Sequence, residues 1–130
     1  MAMDRPKKGS EKRDTARLID RIVELALDKK ALDPLLLDLS GLVDFTDGFL
    51  IFSGESDIQV RAIADAIREG LKEDGLRPHH VEGYDRANWI ILDFIDIVVH
   101  VFYKATREFY RLEQLWGDAP VRTFFEEAGE

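Results

Sequence analysis

The chain has 130 residues, 45% of them hydrophobic and 34% charged, which suits one domain around one core rather than a disordered segment. It contains no cysteine, so disulfides, Cys-ligated zinc and thiol chemistry of its own are excluded. A net charge of −8 works against a phosphate backbone, which makes nucleic-acid contact at most secondary and a basic protein the better-matched partner.

Residues 1–13 are polar, include Pro6 and lack the apolar run of a signal peptide, and are expected to form a flexible leader. No stretch approaches the ~20 apolar residues of a membrane span, so a cytoplasmic location is expected. From Asp14, the positions Leu18, Ile19, Ile22, Val23, Ala26 and Leu27 recur at i, i+3, i+4, i+7 spacing, predicting an amphipathic helix to about Lys30 with one buried stripe. Lys29 and Lys30 fall at its negative end and complement its dipole. LLLDLS at 35–40, after Pro34, and FLIFSG at 49–54 read as strands, parted by Gly41 and by TDG at 46–48. Ser56-Asp57-Ile58-Gln59 forms a capping-box pattern opening a helix whose stripe is Val60, Ile63, Ala64, Ile67 and Leu71. Gly75 sits where a left-handed residue would stop it.

HHVEG at 79–83 reads as a short strand, the polar YDRAN as a loop, and NWIILDFIDIVVHVF at 88–102 as a hairpin. A last helix over about 106–116 places Phe109, Leu112 and Trp116 on one face and ends at Gly117 to Pro120. This order predicts an α/β domain over residues 14–120, followed by a tail at 121–130. It is a mixed sheet of about five strands packed with helices, the 57–74 helix serving as the crossover between parallel strands.

The hairpin carries charge into an apolar setting. With Phe94 and Ile95 as a two-residue loop, Asp93 faces Asp96, Ile91 faces Val98 and Trp89 faces His100. Ile90, Leu92, Ile97, Val99 and Val101 then make a wholly aliphatic core face. Trp89, Ile91, Asp93, Asp96, Val98, His100 and Phe102 share the other, whose carboxylates and imidazole need water or partners, so that face is expected to be partly open. A tryptophan ringed by apolar and acidic groups suits docking on a basic protein.

A catalytic reading starts from SGESD at 53–57, a strand, a Gly-Ser turn and a helix start that could receive a phosphate. Asp93 and Asp96, with Asp47 or Asp57, would then hold magnesium for nucleotidyl transfer, with Ser56 at the phosphate. Neither the adjacent His79 and His80, which point to opposite sides of a strand, nor His100 completes a metal set or a catalytic triad. No catalytic residue, metal or cofactor is therefore assigned.

Several blocks, in order, resemble the ribosomal silencing factor family, also called the RsfS or Iojap family, from about residue 18 to 120. They are DKKA at 28–31, DLS at 38–40, TDGF at 46–49, SGESD at 53–57, AIADAI at 62–67, VEG at 81–83, W-x-x-L-D at 89–93, VVHVF at 98–102 and R-x-x-Y-x-L-E-x-L-W at 107–116. The resemblance implies a fold related to nucleotidyltransferases, without nucleotidyl transfer. It also implies binding to the large ribosomal subunit through large-subunit ribosomal protein fourteen, which blocks subunit joining and represses translation. The family's His and acidic positions are present as His100, Asp93, Asp96, Glu82 and Glu113. The family usually has an aromatic where Gly48 stands, a glycine where Ile95 stands and a threonine-containing version of SGESD. The expected partner-binding set is Trp89 with His100, flanked by Asp93, Asp96, Glu82, Tyr110 and Glu113; homodimerisation through the same face is a further possibility.

Overall fold

In the computed structural model, which describes residues 9–124, the first helix, α1, spans Gly9–Asp28 and buries Ile19, Ile22, Val23 and Ala26 as their spacing predicts. It begins at Gly9 rather than Asp14, because Glu11, Lys12 and Arg13 are good helix formers and no Gly or Pro interrupts the turns between them and Asp28. Residues 9–13 of the expected leader thus belong to the helix, and residues 1–8 lie outside the described residues. At the other end, Lys30 turns left-handed at φ 63°, and the Lys30 and Ala31 amides donate back to the carbonyls of Leu27 and Ala26. The expected extension to Lys30 fails for that reason.

The sheet comprises β1 (Leu32–Asp38), β2 (Gly48–Gly54), β3 (His80–Glu82), β4 (Trp89–Asp93), β5 (Ile97–Tyr103) and β6 (Val121–Thr123), in the order β3-β4-β5-β2-β1-β6. Only β2 and β5 run parallel, which makes the sheet mixed, as expected. The sixth strand is the one the sequence hides. Val121–Thr123 is short and exposed throughout, with no alternation to mark it, yet it pairs with Leu35–Leu37 at the edge of the sheet. The domain therefore extends past residue 120, and Phe124 packs on the core, while Phe125 lies outside the described residues. Strand β1 starts early, at Leu32, through a bulge at Asp33, whose φ is 48°.

Helix α2 (Asp57–Glu73) starts as predicted, with the Ser56 hydroxyl accepting from the Gln59 amide at 3.1 Å. The Gln59 side chain reaches past the Ser56 amide that a capping box would use. Its oxygen accepts from the Glu55 amide at 2.7 Å, and its nitrogen donates to the Lys29 and Lys30 carbonyls at 3.1 and 3.0 Å, tying the start of α2 to the end of α1. Gly75 takes the left-handed stop at φ 89°. Both helices cover one face of the sheet, where Ile22, Ala26, Ile63 and Ile67 meet Phe52, Ile90, Leu92, Val99 and Val101.

The hairpin register differs from expectation. Asp93 pairs with Val98, Ile91 with His100 and Trp89 with Phe102, because residues 94–96 make a wider turn in which the Phe94 amide donates to the Ile97 carbonyl at 2.9 Å and Ile95 sits at φ 74°. The slip is an even number of residues, so each side chain that stays within β4 and β5 keeps its predicted face, while Asp96 falls in the turn. That second face is nevertheless more covered than expected. The expected single helix over 106–116 is broken into α3 (Lys104–Tyr110) and α4 (Leu112–Leu115) by Arg111, left-handed at φ 47°. The break carries Leu112, Trp116 and Ala119 onto Leu37, Phe49, Ile51, Val98 and Phe102, and rotates Phe109 away from them. Three layers result, with α1 and α2 on one side and the 104–119 segment on the other.

Candidate functional site

Strand pairing aligns one face across the sheet. Ile51 is opposite His100 and His100 opposite Ile91, while Glu82 is opposite Ile91 and His80 opposite Asp93. At its centre the Trp89 indole N–H donates to His100 Nδ1 at 3.0 Å, and its ring stacks on fully buried Phe102 with centroids 4.8 Å apart. Since Nδ1 accepts, the neutral imidazole carries its proton on Nε2, an atom that meets no acceptor among the described residues. The Phe49 ring stands nearly edge-on to the imidazole at 4.5 Å. Burial in this aromatic nest pushes the His100 pKa down to about 4, so the ring is uncharged at neutral pH. At 5% exposure, His100 is not the open surface group the sequence suggested; it holds the indole from beneath.

From half-buried Trp89 the aromatic contacts run outward. The Tyr110 ring lies 5.0 Å from the indole, and Phe109 meets Tyr110 at 5.0 Å with the rings perpendicular. Phe109 is 79% exposed, Leu115 73% and Tyr110 51%. Sequence reasoning placed Phe109 on one face with Leu112 and Trp116 and passed over Leu115, because it assumed an unbroken helix. On the sheet itself, Ile91 and Asp93 are half-buried beside exposed His80 and Glu82, whose side chains meet at 2.6 Å. The second face is thus covered over its β5, β2 and β1 part and open toward β3 and β4.

Not every expected member joins this patch. Trp89, His100 and Tyr110 come together, with Glu82 and Asp93 on the adjoining strands. One Asp93 oxygen is occupied by the Ile95 amide at 2.8 Å, which fixes the turn. Asp96 does not face Asp93: it lies in the turn, where its carbonyl accepts from the Asp47 amide and the Thr46 hydroxyl, both at 2.9 Å. Glu113 lies beside Arg107 at the far end of β2. The magnesium reading fails on the same geometry. Ser56 follows the end of β2 that aligns with Tyr103, whereas Asp96 precedes the Ile97 end of the parallel partner. A seven-residue strand separates them by about 20 Å, and no cluster of three metal-ligating side chains exists among the described residues.

Residues 12–129 match the family model described as ribosomal silencing factor during starvation. The ribosomal silencing factor RsfS of Bacillus subtilis is 49% identical over 94 residues, covering 72% of this chain and 80% of its own length. That of Halalkalibacterium halodurans is 43% identical over 104 residues, with 80% and 89% covered. Among solved structures, a crystal structure of a Chromobacterium violaceum protein superposes with a TM-score of 0.76 at 33% identity, covering 78% of this chain and 85% of that one.

Proposed function

The chain belongs to the ribosomal silencing factor family, a non-enzymatic regulatory family, and from that premise we propose that it represses translation by covering the large ribosomal subunit. Its open face docks on large-subunit ribosomal protein fourteen and obstructs joining of the small subunit, in the cytoplasm where ribosomes work. The observation that carries this reading is the outward run Trp89, Tyr110, Phe109, which ends in side chains that water solvates poorly and that the fold does not need to expose. Aromatic side chains of this kind supply most of the energy of protein contacts. Glu82 and Asp93 at the margin match a cationic partner and set its orientation. His100, placed in the expected contact set by the sequence, acts here through the indole it supports rather than by touching the partner, and Glu113 lies away from this face, beside Arg107.

Sedimentation of purified large subunits with the protein tests the proposal. Wild-type protein is expected to comigrate with the large subunit and to reduce joined ribosomes when small subunits are added. Tyr110→Ala and Phe109→Ser together are expected to cost at least ~2 kcal/mol of binding, a loss of thirtyfold or so in affinity. These exposed positions make a cleaner test than Trp89→Ala, which also removes the packing on Phe102 and the bond to His100. Undiminished comigration of the double variant would overturn the assignment of the face, and joined ribosomes that persist with saturating protein would overturn the mechanism.

A further inference from the structure

Helix α3 has no buried member. Of its seven residues only Thr106 and Arg107 are half-buried and the rest are exposed. A free helix this short is unstable in water, so its place on the sheet must come from specific contacts. Leu112 anchors the chain on one side and β5 on the other, but neither packs a side chain of α3 against the sheet.

Arg107 makes the tie. Its Nη1 donates to the Asp33 carbonyl on β1 at 2.8 Å and to the Ser53 hydroxyl on β2 at 2.9 Å, so that one nitrogen joins the helix to two strands. Among the described residues, no other side chain of α3 is hydrogen-bonded to the sheet. Ser53 is buried, so its hydroxyl cannot turn to water instead. Burial lowers the pKa of the guanidinium while the Glu113 and Asp33 carboxylates oppose the shift, so attraction adds to the two bonds.

This tie decides where the rings point. At about 3.6 residues per turn, Phe109 lies about 200° round the helix from Arg107, and Tyr110 about 60° from it. With Arg107 turned to Asp33 and Ser53, Phe109 faces water and Tyr110 reaches the Trp89 ring at 5.0 Å. The hydrophobic effect favours a rotation of α3 that would hide Phe109, and Arg107 opposes it. We propose that Arg107 is the positioning residue of the docking face, fixing the rotation of α3 so that Phe109 stays in water and Tyr110 stays on Trp89. The role rests on the docking reading given above, because the orientation of the two rings matters there; Arg107 itself is turned to the sheet and touches no partner.

Arg107→Met keeps the apolar stem and removes the donors, and Ser53→Ala removes one acceptor while leaving the Asp33 carbonyl in place. Two readouts on the folded full chain test the proposal, and a residue that only stabilised the fold would move neither. In the free protein, nuclear Overhauser contacts between the Tyr110 and Trp89 rings are expected to be lost in Arg107→Met and weakened in Ser53→Ala, while those of Leu112 with the sheet persist. In titrations with large-subunit ribosomal protein fourteen, Arg107→Met is expected to weaken binding about tenfold and Ser53→Ala about threefold. Added to Tyr110→Ala and Phe109→Ser together, Arg107→Met is expected to cost less than about twofold more, since its effect passes through those rings. Ring contacts that persist unchanged would overturn the proposal, as would a full loss from Arg107→Met on the background lacking both rings, which would put Arg107 itself in the contact. If Arg107→Met does not fold, Ser53→Ala decides both readouts. Undiminished binding by the variant lacking both rings would overturn the docking reading instead, and the contacts in the free protein would still decide whether Arg107 orients α3.

Discussion

His100 shows how a residue expected on an open face can instead be buried. Its charge-bearing ring looked out of place among Trp89, Val98 and Phe102, which suggested water nearby; the fold instead keeps it neutral and occupies Nδ1 with the indole. Nothing in the sequence distinguishes these, since both satisfy the same ring by different partners. The consequence is a pH dependence of stability. Folding lowers the pKa from 6.5 to about 4, so between those values the unfolded chain takes up a proton that the folded chain refuses. Stability is therefore complete above about pH 6.5 and falls as acid is added toward pH 4, by roughly 3 kcal/mol from this group. Urea unfolding of wild type and His100→Asn across this range should give curves that converge toward acid; parallel curves would show that the imidazole titrates normally. Ile95 is the second case. A β-branched residue at φ 74° costs about 1–2 kcal/mol, and more than half of its surface is exposed, so Ile95→Gly forgoes little packing. After the added chain entropy of glycine, a net gain of about 1 kcal/mol is expected, or a few degrees in Tm by calorimetry. An unchanged or lower Tm would mean that the turn is not strained.

Elements were legible where periodicity and capping agreed. The stripes of α1 and α2, the Ser56 cap and the Gly75 stop all hold, because buried side chains and terminal amides impose local requirements that few residue types meet. The hairpin was half legible. Its faces survive because the register moved by an even step, while the turn itself was misjudged, as Ile95 gives no hint of a left-handed residue where glycine would have announced one. The 104–116 segment was least legible. Arg111 breaks the helix without Gly or Pro, and the packing of Leu112 and Trp116 on the sheet decides the break, a tertiary effect that overrides local preference. Two substitutions separate the broken helix from a continuous one. Leu112→Ala should cost about 2–4 kcal/mol in urea unfolding, because Leu112 is buried in the second core cluster. Phe109→Ser should change stability by less than about 0.5 kcal/mol, because its ring faces water. Comparable losses at both positions would restore the single amphipathic helix and remove Phe109 from the docking face.

For the molecule as a whole, the α/β class and mixed sheet followed from the order of elements, whereas the third layer did not, since it depends on where a short irregular segment comes to rest. That layer decides how much of the Trp89 face stays open, and so shapes the proposed docking surface: an aromatic outcrop formed by Tyr110, Phe109 and Leu115 beside an acidic margin on β3 and β4. The two parts should separate kinetically. An overall charge of −8 draws a basic partner from a distance, and this attraction is screened once the Debye length drops from about 10 Å at 0.1 M salt to about 3 Å at 1 M. The aromatic contact is made only after encounter and depends little on salt. Association with large-subunit ribosomal protein fourteen, followed by stopped flow, should therefore slow by on the order of tenfold or more as salt rises through that range, with dissociation changing far less. Glu82→Gln should flatten the salt dependence of the association rate and leave dissociation nearly unchanged, since Glu82 is exposed at the margin. Tyr110→Ala should do the reverse, raising the dissociation rate while preserving the salt slope. If Glu82→Gln instead accelerates dissociation, the acidic margin lies inside the contact and the division between steering and holding is wrong; if association is insensitive to salt, the net charge plays no part in finding the partner.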